Sequence, residues 1–301
     1  MSVIIHQTFC PCCNSENINE AFVTNDFSVS KQIFAVWQCN DCCVRFTQNI
    51  PDANSIEPYY KSANYISHSD TKEGLINKIY HSVRNFTLQT KKKLIVEQTG
   101  FTNGSLLDIG AGTGAFANIM QQSGWQVKGL EPDTTASNIA FQKYGLRFQH
   151  PQALFDQEPL QFDAITLWHV LEHIHDVHGY LQCINKILKQ NGKVFIAVPN
   201  YTSADAAIYK EYWAAYDVPR HLYHFSPLSF KKLAEQHNFL IAAYKPMWFD
   251  SFYVSMLSEK YKNNGRNNYI MAILNGCISN IKTLVNVEQC SSIIYVLSKA
   301  N

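Results

Sequence analysis

Ser105-Leu-Leu-Asp-Ile-Gly-Ala-Gly-Thr-Gly-Ala-Phe116 is the stretch on which the reading of this chain turns. Leu106, Leu107 and Ile109 open it as an apolar strand, Gly110, Gly112 and Gly114 follow at alternate positions, and Phe116, Ile119 and Met120 then recur at helical spacing. A strand, a tight glycine turn and a helix start in that order form a nucleotide-binding corner. Glycine lets the backbone turn sharply and removes the Cβ atoms that would hold a ligand away. The helix start adds unpaired N–H groups and a partial positive charge. Two ligands fit the spacing. Gly110, Gly112 and Ala115 match the dinucleotide fingerprint, with Glu131 at the distance of a ribose-binding acid, which is the pattern of an NAD-dependent oxidoreductase. Gly114, a third alternate glycine, and Asp108, a carboxylate placed before the turn where it meets a positively charged ligand group, favour a different cofactor.

Downstream, Trp125–Leu130 reads as a second strand ending at Glu131-Pro132-Asp133. A carboxylate there accepts hydrogen bonds from both ribose hydroxyls, each worth about 1.5–3 kcal/mol, or supplies an acidic start to the helix that runs to Tyr144-Gly145. A third strand is expected at Leu146–Gln149 and a fourth, continuous and apolar, at Phe162–Val170. The fourth ends in Trp168-His-Val-Leu-Glu-His173, which matches the H-x-x-E-H metal motif. That motif needs a helix to put both histidines on one face, and here it closes a strand. A helix at Val177–Gln190 closed by Asn191-Gly192 and a fifth strand at Lys193–Val198 follow.

Tyr212-Trp-Ala-Ala-Tyr-Asp-Val-Pro-Arg-His221-Leu-Tyr-His224-Phe concentrates rings and a guanidinium in one loop. His221 or His224 suits a general base, because an unperturbed imidazole titrates near neutral pH, although taken singly each better suits a structural hydrogen-bonding role. Arg220 suits a substrate carboxylate or phosphate. Ser226-Pro227 starts a further helix. Strands at Leu240–Met247 and Ser292–Leu297 then flank an insert over about residues 250–285, with helices at Phe252–Tyr261 and Tyr269–Ile281.

Before the glycine corner, Cys10-Pro-Cys-Cys13 and Cys39-Asn-Asp-Cys42 are two C-x-x-C pairs about 25 residues apart. Cys10, Cys13, Cys39 and Cys42 are expected to hold one structural Zn²⁺ as a zinc ribbon, with Cys12 and Cys43 as spare neighbours. Four cysteines leave no open position for a substrate, and metal binding is expected to supply on the order of 10 kcal/mol of folding free energy. Pro51–Asp70, rich in tyrosine and small polar residues, reads as a linker or lid, with Tyr65 a ligand contact or a packing residue. A helix over Asp70–Gln98 follows, with Lys91-Lys-Lys93 as a solvated face.

Together these phrases resemble the class I S-adenosylmethionine-dependent methyltransferases that carry an N-terminal zinc ribbon. Leu107–Gly114 is similar to their first motif, Leu-Asp-(Ile/Val)-Gly-x-Gly-x-Gly. His169–His173 and Pro219–Phe225 resemble their fourth-strand and substrate-side phrases. The resemblance implies an α/β fold with a Rossmann-like, seven-stranded, doubly wound sheet. It divides the chain into a ribbon (1–50), a lid, linker and helix (51–98) and a methyltransferase domain (99–301). It implies S-adenosylmethionine on Asp108, Gly110, Ala111, Gly112, Gly114, Glu131, Pro132, Trp168 and His169, with adenine near Pro151–Ala153. His173, His221, His224 and Tyr65 would face the acceptor, a small metabolite such as a nucleotide-linked sugar. An NAD-dependent oxidoreductase and a non-catalytic ribbon-bearing binding protein are the readings it competes with.

Composition sets the outer bounds. The 301 residues are 46% hydrophobic and 16% charged with a formal net charge of +1, which suits one α/β domain plus an appendage and argues against a large nucleic-acid footprint. No apolar run reaches the length of a membrane span and Met1–Cys10 lacks a signal-peptide pattern, so the cytoplasm is the expected compartment. An odd number of cysteines, 9, disfavours a disulfide framework. Oligomeric state has no signature here.

Overall fold

The N-terminal residues build a small antiparallel unit from β1 (Ile4–Ile5), β2 (Ile18–Asn25), β3 (Ile33–Cys39), β4 (Arg45–Thr47) and β5 (Ile50–Pro51). The structure, a computed structural model, describes residues 3–60 and 75–300, with 75–81 by backbone only. Tyr65 and the expected lid around it lie outside the described residues. Next come α1 (Leu75–Thr99), β6 (Ser105–Ile109), α2 (Ala115–Gln122), β7 (Gln126–Leu130), α3 (Thr134–Tyr144), β8 (Phe162–Trp168), α4 (Val177–Ile187), β9 (Leu188–Pro199) and α5 (Ala204–Tyr209). The chain closes with β10 (Tyr223–His224), α6 (Pro227–Gln236), β11 (Phe239–Pro246), α7 (Asp250–Lys262), α8 (Tyr269–Val285) and β12 (Ser292–Lys299).

Among the described residues the main sheet has six strands in the order β11-β12-β9-β8-β6-β7. The four strands from β9 to β7 are parallel, and β12 runs antiparallel between β9 and β11. Strands covered on both faces must be apolar throughout, and Leu106, Leu107, Ile165, Leu167, Val194, Ile196 and Val198 are fully buried. After β7 the chain crosses over to β8 on the other side of β6, so the switch point of the sheet lies at the C-terminal ends of β6 and β8, where open α/β sheets bind ligands. Among the described residues no helix is long and apolar enough to cross a membrane.

Two expectations change. The sheet has six strands rather than seven, because Leu146–Gln149 contributes one parallel bridge, Leu130 to Gln149, in place of a strand. The Phe148 ring packs in the space over Gly129 where a side chain would stand. Asn191-Gly192 does not cap α4. The helix ends at Ile187 and these residues lie within β9, where a Cβ on Gly192 would press on Leu188 and on the Phe162 carbonyl. The ribbon's sheet also takes in a strand from the distal loop. Its strands continue into the distal loop in the order β10-β4-β3-β2, with Tyr223 opposite Phe46 and His224 opposite Arg45. Tyr201 Oη donates to the Cys43 carbonyl at 2.7 Å and Thr47 Oγ1 to the His221 carbonyl at 2.6 Å, so side chains also tie the two parts.

Candidate cofactor and active site

All three corner glycines have positive φ: +74° at Gly110, +54° at Gly112 and +78° at Gly114. A Cβ on Gly110 would stand 2.3 Å from Val170 and one on Gly114 2.8 Å from Ala140, so these two turn the chain and seat it on its neighbours. Gly112 differs. A Cβ there would meet nothing within 4 Å, which makes this the open side of the loop. α2 begins at Gly114 with no side-chain cap, unlike α3, α4 and α6, whose starts are capped by Asp133, Asp176 and Ser226. Glu131 closes the corner from β7. Its Oε2 accepts from the Gly112 N–H at 2.7 Å and its Oε1 from the Asp133 N–H at 2.8 Å. Those bonds fix the carboxylate and leave each oxygen a lone pair for a ligand hydroxyl. Burial raises its pKa. Ala111 is buried in the turn and Pro132 is exposed beyond Glu131.

Behind the corner lies a site made for positive charge. Asp108 is 1% exposed, and among the described residues one hydrogen bond, from Thr166 Oγ1 at 2.7 Å, serves its carboxylate. Burial pushes its pKa up to about 7, with Thr166 and Lys91 opposing. Lys91, expected on a solvated face, turns inward instead and sets its ammonium 4.2 Å from the centre of the Trp168 ring. Burial lowers the Lys91 pKa to about 8 against the pull of Asp250 and Asp108. The reversal has a simple cause: α1 packs across β8 and β9, so one face of the lysine run must enter the core. Trp168 rests edge-on against Phe116 at 5.4 Å, and its buried Nε1 has no hydrogen-bond partner among the described residues. Open space at Gly112, an under-paired Asp108 and the unpaired Trp168 donor fit a nucleoside bearing a cationic group.

His169, with φ +57°, is clasped between carboxylates, Nε2 at 3.0 Å from Asp250 and Nδ1 at 3.4 Å from Glu172. Burial works against its charge, but the two carboxylates outweigh it and raise the pKa to about 9. His169 therefore ties the end of β8 to α7, a partnership across 81 positions that no local pattern announces.

The remaining candidates divide into two places. His173 and His221 meet edge to face with ring centres 4.6 Å apart, beside the fully buried Glu172. His173 Nδ1 lies 3.0 Å from the Arg220 carbonyl and 3.1 Å from Tyr60 Oη, and His221 Nδ1 lies 2.8 Å from the Ala215 carbonyl. Burial first, and then the neighbouring His221, lower the His173 pKa to about 4. His224 is elsewhere. It is 3% exposed, its Nε2 is 3.1 Å from Thr47 Oγ1 and its ring abuts Tyr216, which places it in the joint between ribbon and sheet. Arg220 is also withdrawn. It is fully buried and donates to Asp217, Asp26, Ser28 and the Tyr59 carbonyl, so it cannot reach a substrate anion.

Cys10, Cys13, Cys39 and Cys42 converge with their sulfurs all within 4.8 Å of one another. The residue after each pair, Asn14 and Cys43, has positive φ, which bends each loop around its sulfurs. The Cys12 N–H points at Cys10 Sγ (3.4 Å) and the Cys42 N–H at Cys39 Sγ (3.5 Å), as thiolates require. Cys12 and Cys43 take no place in the cluster. These residues fit a tetrahedral metal.

The methyltransferase domain family matches residues 81–243, more than half of the chain. The chain belongs to the class I methyltransferase family. The matched stretch includes the glycine corner. A ubiquinone biosynthesis O-methyltransferase of Pasteurella multocida (strain Pm70) is 28% identical over 123 residues, 35% of this chain and 50% of that protein. One from Pelagibacter ubique (strain HTCC1062) is 32% identical over 109 residues, 33% and 44% of the two chains. This methyltransferase chain thus spans about half the length of the curated relatives it matches. Among solved structures, magnesium protoporphyrin IX methyltransferase from Synechocystis PCC 6803 with bound SAH superposes with a TM-score of 0.55 at 12% identity, over 83% of this chain and 100% of that one.

Proposed function

We propose that this methyltransferase moves the methyl group of S-adenosylmethionine to a hydroxyl of a small-molecule acceptor, and that the acceptor sits between the glycine corner and the Glu172, His173 and His221 cluster. One observation carries the reading. β6 and β8 are adjacent and parallel, so the cation-receptive Asp108 corner and the imidazole cluster open at the same end of the sheet. S-adenosylmethionine supplies a methyl group on a positively charged sulfur. Glu131 orients the ribose, the Gly112 loop admits the nucleoside, and Asp108 answers the charge. Methyl transfer is an in-line displacement, so the protein mainly positions donor and acceptor, and the cluster assists loss of the hydroxyl proton. A hydroxyl acceptor accords with relatives named O-methyltransferases. A nucleotide-linked sugar, the class implied by the ribbon resemblance, carries such hydroxyls. The four-cysteine ribbon holds a structural Zn²⁺, and the five remaining cysteines, none in a disulfide, suit a reducing compartment such as the cytoplasm.

Calorimetric titration with S-adenosylmethionine, run beside NADH, tests this. Micromolar binding of S-adenosylmethionine is expected, weakened about 10- to 100-fold in Glu131→Ala. Binding of NADH alone would overturn the reading, and binding of neither by folded, metal-loaded protein would favour the non-catalytic alternative. The pH dependence is a sharper check. A carboxyl with a pKa of about 7 must lose its proton to pair with a cation. Affinity for S-adenosylmethionine is therefore expected to rise as pH increases from about 6 to 8 and to level off above, with protons released to buffer at the lower end. Asp108→Asn should bind more weakly and with a flat pH profile; an unchanged slope would show that Asp108 does not meet the cationic group.

A further inference from the structure

We infer that Glu172, His173 and His221 form a second metal site, separate from the ribbon cysteines, that takes a divalent first-row ion such as Zn²⁺. One ligand atom from each of the three residues lies within 4.8 Å of the other two. Glu172 is fully buried, and neither carboxylate oxygen has a hydrogen-bond partner among the described residues. Its nearest ionic neighbour, His169 Nδ1 at 3.4 Å, belongs to a ring whose other nitrogen is committed to Asp250. His169 answers this charge only in part, 3.4 Å from Oε1 and shared with Asp250, so the buried Oε2 is left for a further cation.

The two histidines are prepared in the way metal ligands are. Each has Nδ1 against a backbone carbonyl, His221 on Ala215 at 2.8 Å and His173 on Arg220 at 3.0 Å. An N–H held there leaves the lone pair on Nε2, the arrangement that ligating histidines adopt. The frame is fixed as well, since the Leu222 N–H donates to the Glu172 carbonyl at 2.7 Å and the His221 N–H to the Asp217 carbonyl at 3.1 Å. Asp217 adds an oxygen 4.0 Å from His221 Nε2, but Arg220 already engages that carboxylate. Ligand bonds of about 2.0–2.2 Å require the three atoms to draw together from separations of up to 4.8 Å. This set is not the H-x-x-E-H pair of the sequence motif: His169 is replaced by His221 from the distal loop, which is why the motif's helix is not needed.

Two imidazoles and one carboxylate leave coordination positions open, as catalytic rather than structural sites do. The inference rests on the reading of this end of the sheet as the acceptor side. An ion there binds the acceptor hydroxyl and lowers its pKa. The hydroxyl proton leaves to solvent, the oxygen forms its bond to the methyl carbon, the carbon–sulfur bond breaks, and the sulfonium becomes a neutral thioether. His173 and His221 then serve as ligands and not as the base.

Full-length protein with its cysteine site filled by Zn²⁺ would be titrated with Co²⁺ and followed by visible absorption and by metal analysis after desalting. One further equivalent is expected, with ligand-field bands but no thiolate charge-transfer band. Glu172→Gln and His221→Asn should each weaken that equivalent at least tenfold while S-adenosylmethionine binding and circular dichroism stay unchanged. Uptake of no second equivalent by the wild-type protein would overturn the site, as would a second equivalent indifferent to both variants or carrying thiolate bands. Should either variant fail to fold, the wild-type spectrum and stoichiometry decide alone. Failure to bind S-adenosylmethionine would sink the methyltransferase reading without altering the metal count, so the two are separable.

Discussion

Arg220→Met is expected to destabilise the protein by about 3–5 kcal/mol, read as a lowered urea midpoint with little change in slope. The guanidinium lies between two carboxylates. Nε and Nη2 donate to Asp217 at 2.9 and 2.6 Å, and Nη2 to Asp26 at 3.0 Å, while Nη1 donates to the Tyr59 carbonyl at 2.8 Å. Asp26 is fully buried and also accepts from the backbone N–H groups of Ser28, Val29 and Ser30. Methionine fills the volume and removes the charge, which strands a buried carboxylate. In the native protein burial raises the Asp26 pKa, yet Arg220 and the Ser30 bonds hold it down to about 2. A depressed carboxylate pKa gives stability that is present above the unfolded value, about 3.8, and lost as pH falls through about 2. Without Arg220 the carboxylate titrates higher, so the deficit of the variant should shrink between about pH 8 and pH 4. A deficit independent of pH would mean that packing, not charge, is what Arg220 supplies.

Removal of the ribbon metal is expected to have the other large effect. Chelation, or Cys39→Ser, should cost the N-terminal unit on the order of 10 kcal/mol of metal-linked folding free energy. The consequence reaches the acceptor side through β4, which pairs with β10 and whose Thr47 holds the His221 carbonyl and the His224 ring. The glycine corner uses no ribbon residue. Hydrogen exchange should therefore accelerate at residues 216–226 and methyl transfer should fall, while S-adenosylmethionine binding persists. Equal loss of binding and transfer would instead mean that the whole chain unfolds with the ribbon.

What is legible in the sequence is local. Leu107–Gly114 carries strand, turn and helix start within a few residues, and positive φ at all three glycines is what that spacing requires. The C-x-x-C pairs announce a four-sulfur cluster for the same reason, because each loop holds two sulfurs. Roles settled by distant partners are not legible. Arg220 reads as a substrate anchor because Asp26 lies 194 positions away, and His224 reads as a base because Thr47 lies 177 positions away. Lys91 carries a misleading signal: a run of three lysines reads as solvated until the helix is laid on the sheet. Asp250, which clasps His169, carries none. Glu172 and His173 are visible as a pair, but their third member, His221, comes from a loop that only the fold brings alongside.

The strand shared between β4 and β10 also bears on how this chain can be cut or recombined. A fragment beginning after residue 51 would keep the main sheet whole yet leave Tyr223 and His224 with unsatisfied backbone groups along an exposed edge. Bare edges of that kind pair with one another, so such a fragment is prone to aggregate rather than to stand as a free catalytic module. Transplanting the ribbon onto another scaffold meets the mirror problem, since its sheet would arrive missing one strand.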